Sequence, residues 1–237
     1  MILQFELIAA LLPPVLLWLY IWRKDPQPEP WRWLLLAALG GVVICIPVSL
    51  VELGISTLFF GPEGEPTSLA GTTTMAFLVA ALPEEAFKLL VLWLVLRKNP
   101  FFDEHFDGIV YAVSVGLGFA AIENVFYILS EDQWVTVAVT RALLAVPGHY
   151  AFAVLMGYFY SVYHFVDRSP KVAFCIFFVP FMLHGFYDAL AMSGLANPYV
   201  GVISFFVLIF FCIRMHKIAR TKILAQIKRD DVVEMKA

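Results

Sequence analysis

Charge is scarce in this sequence. Only 15% of its 237 residues are Asp, Glu, Lys or Arg, while 61% are hydrophobic and 22 are Phe. A soluble domain carries about 25% charged residues. A soluble globule of this composition would expose far too much apolar surface, so a soluble protein and a disordered chain are both excluded. Cysteine is almost missing as well. Cys45, Cys175 and Cys212 fall inside apolar stretches at no metal-ligand spacing, which excludes a secreted disulfide scaffold. Internal repeats, low-complexity tracts and lipidation motifs are absent. No basic patch stands apart from the apolar stretches, so no nucleic-acid partner is expected. The first apolar stretch has neither a basic start nor a small-residue cleavage site, and Pro13-Pro14 sits within it; it does not read as a signal peptide.

What is present is a series of apolar runs. A spanning helix needs about 20 mostly apolar residues. Seven stretches qualify or nearly so, roughly residues 2–22, 33–60, 72–96, 107–129, 134–161, 172–192 and 197–217. The breaks between them read RKDPQPEP, GPEGEPTS, RKNPFFDEHF, SEDQ, DRSPK and SGLANP, which is turn chemistry. The sequence predicts an all-α fold, a polytopic transmembrane helix bundle of about seven spans. Of 16 Lys and Arg residues, all but Lys88 and Arg141 lie in the first, third and fifth loops or after the last span, Lys236 included. The other loops carry Glu63, Glu65, Glu131 and Asp132. The positive-inside rule then puts the N-terminus outside and the C-terminus in the cytoplasm. Residues 1–217 read as one transmembrane domain and 218–237 as a short cytoplasmic basic tail, helical or disordered.

A charged side chain in the bilayer core costs about 2.5–3.5 kcal/mol on insertion scales. The spans nonetheless hold Glu52, Glu84, Glu85, Lys88, Glu123, Arg141, His149, His184 and Asp188. Glu84 and Lys88 are four apart and pair on one helix face, which leaves Glu85 uncompensated. His184 and Asp188 are also four apart, so the carboxylate can fix the imidazole tautomer. Gly116 and Gly118, near Glu123, allow close helix approach. Pro83 and Pro147-Gly148 open the backbone beside Glu84 and His149. Arg141 reads as a counter-ion or a site residue with equal weight. Glu52 is alone near the outer end of its span and reads as structural or interfacial. At 1.5 Å of rise per residue, Glu85, Glu123, His149 and His184 lie roughly 18–27 Å in from the cytoplasmic charges. Four helices thus place polar groups at one level, at or outside the midplane. They describe one polar chamber open toward the outer side.

The chamber's chemistry stays open between three readings. A catalytic zinc takes three protein ligands and leaves a position for water. Glu123, His149 and His184 supply such a set, with Asp188 behind His184 or as a fourth ligand, and Glu84 or Glu85 as general base. No local HExxH supports this. Alternatively, a glutamate and a histidine activate water without a metal. A proton- or metal-coupled transporter would also bury Glu and His, but would be expected to show inverted repeats.

The motifs themselves resemble a known family. Glu84-Glu85-Ala86-Phe87-Lys88 matches EExxK, Phe119 through Glu123 matches FxxxE, and His184 through Asp188 matches HxxxD. These three, in order on successive helices, mark the PrsW family of bacterial intramembrane proteases, distant relatives of the CAAX prenyl endopeptidases. Asp107-Gly108 and Pro147-Gly148-His149 are similar to that family too. The resemblance implies a membrane-embedded peptidase in the bacterial cytoplasmic membrane. It would cut a single-span membrane protein, such as an anti-sigma factor, on the outer side. It also implies catalytic roles for Glu84, Glu85 and Lys88, catalytic or metal-binding roles for Glu123 and His184, and a supporting role for Asp188. His149 joins the set on depth and chemistry, and zinc is the expected cofactor.

Overall fold

A computed structural model describes residues 2–62 and 64–235, with the side chains of 233 and 234 left aside. Glu63 and Lys236 lie outside the described residues. Among these residues the chain forms seven helices. They are α1 (Ile2–Trp22), α2 (Trp31–Phe60), α3 (69–96), α4 (Asp107–Leu129), α5 (Trp134–Phe165), α6 (Pro170–Ala196) and α7 (Pro198–Glu234). The all-α expectation holds. Six helices are long and apolar enough to cross a membrane. The seventh, α3, carries Glu84, Glu85 and Lys88 and stands apart from those six; buried charge is what makes it the atypical element. The tail after 217 continues α7 as helix to Glu234.

The centre of the bundle is α4. In its apolar window 72% of residues are buried, against 11% in α1, so α4 is the axis and α1 a peripheral helix. It packs against α1, α2 and α5, while α6 packs against α3, α5 and α7. The shared core includes Leu34 and Val48 of α2, Leu92 of α3, Ile109 and Leu117 of α4, and Val154 of α5. Lipid tails are as apolar as these side chains, so close packing and hydrogen bonds rather than hydrophobicity hold the helices together. Two bonds pin α1 to α4: Trp18 Nε1 donates to Ser114 Oγ at 2.9 Å, and Asn124 Nδ2 donates to the Ala10 carbonyl at 3.1 Å. Opposite large side chains, Leu58 of α2 and Phe206 of α7 remain exposed, as a lipid-facing surface requires.

Glycine sets how closely α4 approaches its neighbours. A Cβ at Gly118 would lie 2.1 Å from the Ala38 carbonyl oxygen, and one at Gly41 would lie 2.1 Å from that of Val115. Across the other face, a Cβ at Gly157 would lie 2.2 Å from the Gly108 carbonyl oxygen. The small-residue reading of Gly118 is therefore met by backbone-to-backbone contact.

Two helices widen into π-turns, at Met75–Ala81 in α3 and at Arg141–Ala145 in α5. Each ends just ahead of a proline, Pro83 and Pro147 respectively. Proline has no N–H to donate and clashes with the carbonyl four residues back. The wide turn absorbs that clash, and such insertions recur at functional sites. The residues that follow immediately are Glu84 and Glu85 in α3 and His149 in α5.

The close approaches give a stability prediction. Gly41→Ala and Gly157→Ala should each destabilise the detergent-solubilised protein by about 1–3 kcal/mol, the cost of overpacking a tight interface. Gly54→Ala meets nothing within 4 Å and should leave the thermal unfolding midpoint unchanged or raised. Equal midpoints for all three variants would contradict this account of the α2–α4–α5 contact.

Candidate active site

The first turn after the α3 π-segment presents Glu84, Glu85 and Lys88, all at most 5% exposed. Lys88 Nζ donates to Glu84 Oε2 at 2.8 Å and to Glu85 Oε1 at 2.9 Å. It also lies 4.3 Å from the Phe119 ring centroid. The sequence places Glu84 on Lys88 and leaves Glu85 without compensation. The structure differs: one ammonium serves both carboxylates, because positions three and four apart lie on the same face.

From α6, His184 reaches Glu85. Its Nδ1 lies 2.9 Å from Glu85 Oε1, while Nε2 lies 3.3 Å from Asp188 Oδ2 and 3.9 Å from Glu84 Oε2. The Phe152 ring stacks on the imidazole at 5.1 Å. From α5, His149 enters beside it, with ring centroids 5.2 Å apart. His149 Nδ1 is 3.3 Å from Lys88 Nζ, and Nε2 is 2.7 Å from Glu123 Oε2. An ammonium only donates, so Nδ1 accepts there and Nε2 carries the hydrogen that bonds Glu123.

Glu123 is held from the other side by Arg141, whose guanidinium pairs with Glu123 Oε2 at 2.8 Å. Arg141 also donates to Asn124 Oδ1 at 2.6 Å and covers the Tyr127 ring at 4.1 Å. Of the two readings of Arg141, the counter-ion is the one the contacts support.

The expected ligand set was Glu123, His149 and His184. The group whose donor atoms all lie within 4.8 Å of one another is Glu84, His149 and His184, each of them buried. Glu123 bonds to the far nitrogen of His149 and is already paired with Arg141. Spacing along single helices could not separate the two glutamates, because the choice depends on how α3 is rotated after its π-turn.

The donor set fits a metal. Both nitrogens of His184 face carboxylate oxygens, and Glu85 accepts at only one of them. On the Nε2 side, between Glu84 and Asp188, the arrangement calls for positive charge, which a second proton or a metal ion supplies. Two imidazoles and one carboxylate is also a common zinc ligand set.

These groups line a cavity of about 1210 Å³, larger than the roughly 300–1,000 Å³ of small-molecule sites. Glu84, Glu123, Arg141, His149, His184 and Asp188 contribute to its wall, and Glu85 does not. Glu52, read from sequence as structural or interfacial, also lines it. So do apolar side chains such as Leu53, Phe126 and Phe205. Sequence reading also missed Asn124, although it directly follows Glu123. The available signal was an amide inside an apolar span, since a buried amide needs hydrogen-bond partners.

Comparison with known proteins agrees with this geometry. Residues 29–213 match the family model described as PrsW family intramembrane metalloprotease. The protein called Protease PrsW of Geobacillus kaustophilus is 37% identical over 193 residues, covering 80% of this chain and 81% of the relative. That of Bacillus subtilis is 31% identical over 229 residues, covering 94% of this chain and the whole of the relative. That of Oceanobacillus iheyensis is 30% identical over 214 residues, covering 90% and 94%. No solved structure matches. A multi-pass membrane bundle, a buried Glu-His-His group on a large cavity and similarity along most of the chain converge: this protein belongs to the PrsW family of intramembrane metalloproteases.

Proposed function

We propose that this protease hydrolyses a peptide bond of a single-span membrane protein, anti-sigma-factor-like, near the outer side of the membrane. The observation that carries the reading is the Glu84–His149–His184 group on the wall of the large cavity. The family assignment removes the transporter alternative. The proposed orientation keeps the N-terminus outside and the C-terminus cytoplasmic, on the strength of the Lys and Arg distribution. The proposed division of the chain is a protease domain at 1–217 and a basic tail at 218–237.

Glu84, His149 and His184 would hold the ion, which we take to be zinc. When bound, it polarises the scissile carbonyl and lowers the pKa of a coordinated water. The protein's own groups supply the rest. Glu85, withdrawn from the cavity, holds His184 by Nδ1 and so turns Nε2 toward Glu84; a carboxylate behind a ligating histidine fixes its tautomer and orientation. Glu123, clamped by Arg141, does the same for His149 through Nε2, and Nδ1, which accepts from Lys88 at 3.3 Å in this structure, would release that ammonium to take the ion. Lys88, donating to both Glu84 and Glu85, balances their charge and fixes which way each carboxylate faces. Asp188, on the cavity wall 3.3 Å from His184 Nε2, takes a proton from the attacking water and returns it to the leaving nitrogen. Leu53, Phe126 and Phe205 offer apolar wall to an unwound stretch of a membrane helix.

Three measurements test this. With a purified single-span substrate, Asp188→Asn should lower cleavage by about 10²-fold or more, the usual scale for a group acting on the transferred proton, and Glu84→Gln and His184→Ala should each remove a metal ligand and lower cleavage at least as much. Glu85→Gln should cost about 10–100-fold and reduce bound metal, as loss of a ligand-orienting carboxylate does. Undiminished cleavage in Glu84→Gln and His184→Ala would refute the assignment. Metal analysis should find one zinc per chain, with chelation abolishing cleavage and zinc restoring it; full activity of a metal-stripped preparation would rule the ion out. For orientation, single cysteines placed in a cysteine-free protein at Ser68 and at Lys98, both exposed, should label from the outside and the cytoplasm respectively. Labelling of both from one side would overturn the span count.

A further inference from the structure

A second group of carboxylates lies at the opposite end of α4. Asp107 opens that helix, 16 positions before Glu123, about 24 Å away along the axis. Around it gather Asp25 and Glu29 from the α1–α2 connection and Asp103 and Glu104 from the α3–α4 connection. Donor atoms of Asp25, Glu104 and Asp107 lie within 4.8 Å of one another, and so do those of Glu29, Asp103 and Asp107. Asp107 belongs to both sets.

Density of acid alone would say little, but Asp25, Glu29 and Asp107 are buried, and Asp25 and Asp107 each keep an oxygen without a partner. Asp107 is 0% exposed, and Asp25 and Glu29 are each 6% exposed. Asp107 Oδ2 accepts from the backbone N–H groups of Asp103 at 3.1 Å and Glu104 at 2.7 Å. Its other oxygen, Oδ1, is buried without a hydrogen-bond partner, and so is Asp25 Oδ2. Tyr111 donates its hydroxyl hydrogen to Glu29. Among the described residues, no Lys or Arg nitrogen lies within 4.0 Å of a carboxylate oxygen of Asp25, Glu29, Asp103 or Asp107.

That absence is informative because the same loops are rich in cations. The nearby basic side chains turn to aromatic rings instead: Lys24 lies 5.7 Å from Tyr20, Arg32 5.9 Å from Trp31 and Arg97 4.6 Å from Trp93. Asp25, Glu29 and Asp107 are left to one another, to backbone N–H groups and to the Tyr111 hydroxyl. Burial pushes the Asp25 carboxyl up to about 6 and that of Glu29 up to about 7. Buried like charges at this spacing are costly unless a shared proton or a cation sits between them.

We propose that Asp25, Glu29, Asp103, Glu104 and Asp107 form a binding site for a hard divalent cation of the Mg²⁺ and Ca²⁺ class, separate from the proteolytic site. The donors are all carboxylate oxygens, which select hard cations over zinc or copper. They come from two connections and one helix start, so a bound ion ties α1, α2, α3 and α4 together at this end. Asp230 extends the tie to α7. It accepts from the backbone N–H groups of His105 at 2.7 Å and Phe106 at 2.9 Å, and pairs with the His105 ring at 2.7 Å. By the positive-inside rule this end faces the cytoplasm, where the ion would clamp the bundle without touching substrate.

The test uses the purified full-length protein in detergent, with its active-site metal left in place and Mn²⁺ as the paramagnetic probe. Electron paramagnetic resonance should show saturable binding of one Mn²⁺ per chain with a dissociation constant below about 1 mM. Mg²⁺ and Ca²⁺ added in turn show which of the two displaces the probe at the lower concentration. Asp107→Asn should abolish binding. Asp103 is exposed, so Asp103→Asn leaves the fold intact; it should weaken binding by about tenfold. Mg²⁺ or Ca²⁺ should raise the unfolding midpoint of the wild type and not that of Asp107→Asn. Glu84→Gln/His184→Ala, altered at the other end, should bind Mn²⁺ as the wild type does. No saturable binding by the wild type would overturn the proposal, as would binding indifferent to Asp103→Asn and Asp107→Asn. Binding lost only in Glu84→Gln/His184→Ala would assign the ion to the proteolytic site instead.

Discussion

The candidate active site is built around one ammonium buried between two carboxylates. Lys88 lies within 2.9 Å of both Glu84 and Glu85, and all three are buried. Without it, two adjacent glutamates would have no shared counter-charge on their own helix, and that helix would be poorly suited to a membrane. With it, α3 becomes a charge-balanced turn that the neighbouring helices can enclose. Glu85 is then available to hold His184, and Glu84 to face the cavity. A buried ion pair of this kind contributes little net stability, because desolvation offsets most of the attraction. Its value lies in fixing where the remaining groups point.

The backbone around that pair is irregular for a physical reason. Pro83 and Pro147 each forbid a regular helical bond just ahead of a functional residue, and in each helix a π-turn takes up the mismatch. Irregular backbone at membrane depth is tolerated only when protein or a cavity surrounds it, and here both π-segments contribute residues to the cavity wall. The two distortions rotate Glu84 and His149 toward each other, while His184 arrives on the more regular α6. Around them the glycine contacts of α4 hold the helices close enough that side chains from three of them meet.

The two acidic ends of the bundle use carboxylates differently. Near the cavity, Glu84, Glu85, Glu123 and Asp188 each have an Arg, Lys or His partner. At the other end, Asp25, Glu29 and Asp107 are as deeply buried and have mostly one another, backbone N–H groups and a tyrosine. The same residue type thus serves a mixed nitrogen–oxygen site in one place and an all-oxygen cluster in the other, and the difference follows from which cations the local packing allows inside.

Much of this was legible in the residues. Composition and the spacing of apolar runs determined a helical membrane bundle, because a spanning segment must be long and apolar wherever it packs. The ionisable residues at membrane depth and the three motifs determined the family and most of the site, because each costly residue stands out against an apolar background. Pairs on one helix, Glu84 with Lys88 and His184 with Asp188, followed from the 3.6-residue turn. Only the tertiary structure decided that Glu84 rather than Glu123 groups with the two histidines, that Lys88 and His184 both compensate Glu85, and that Glu52 lines the cavity. Only it gathered Asp25, Glu29 and Asp107 at the far end. Helical periodicity fixes the face a side chain occupies on its own helix. The rotation and depth of one helix against another are set by glycine contacts and π-turns, which a linear pattern of hydrophobicity does not encode.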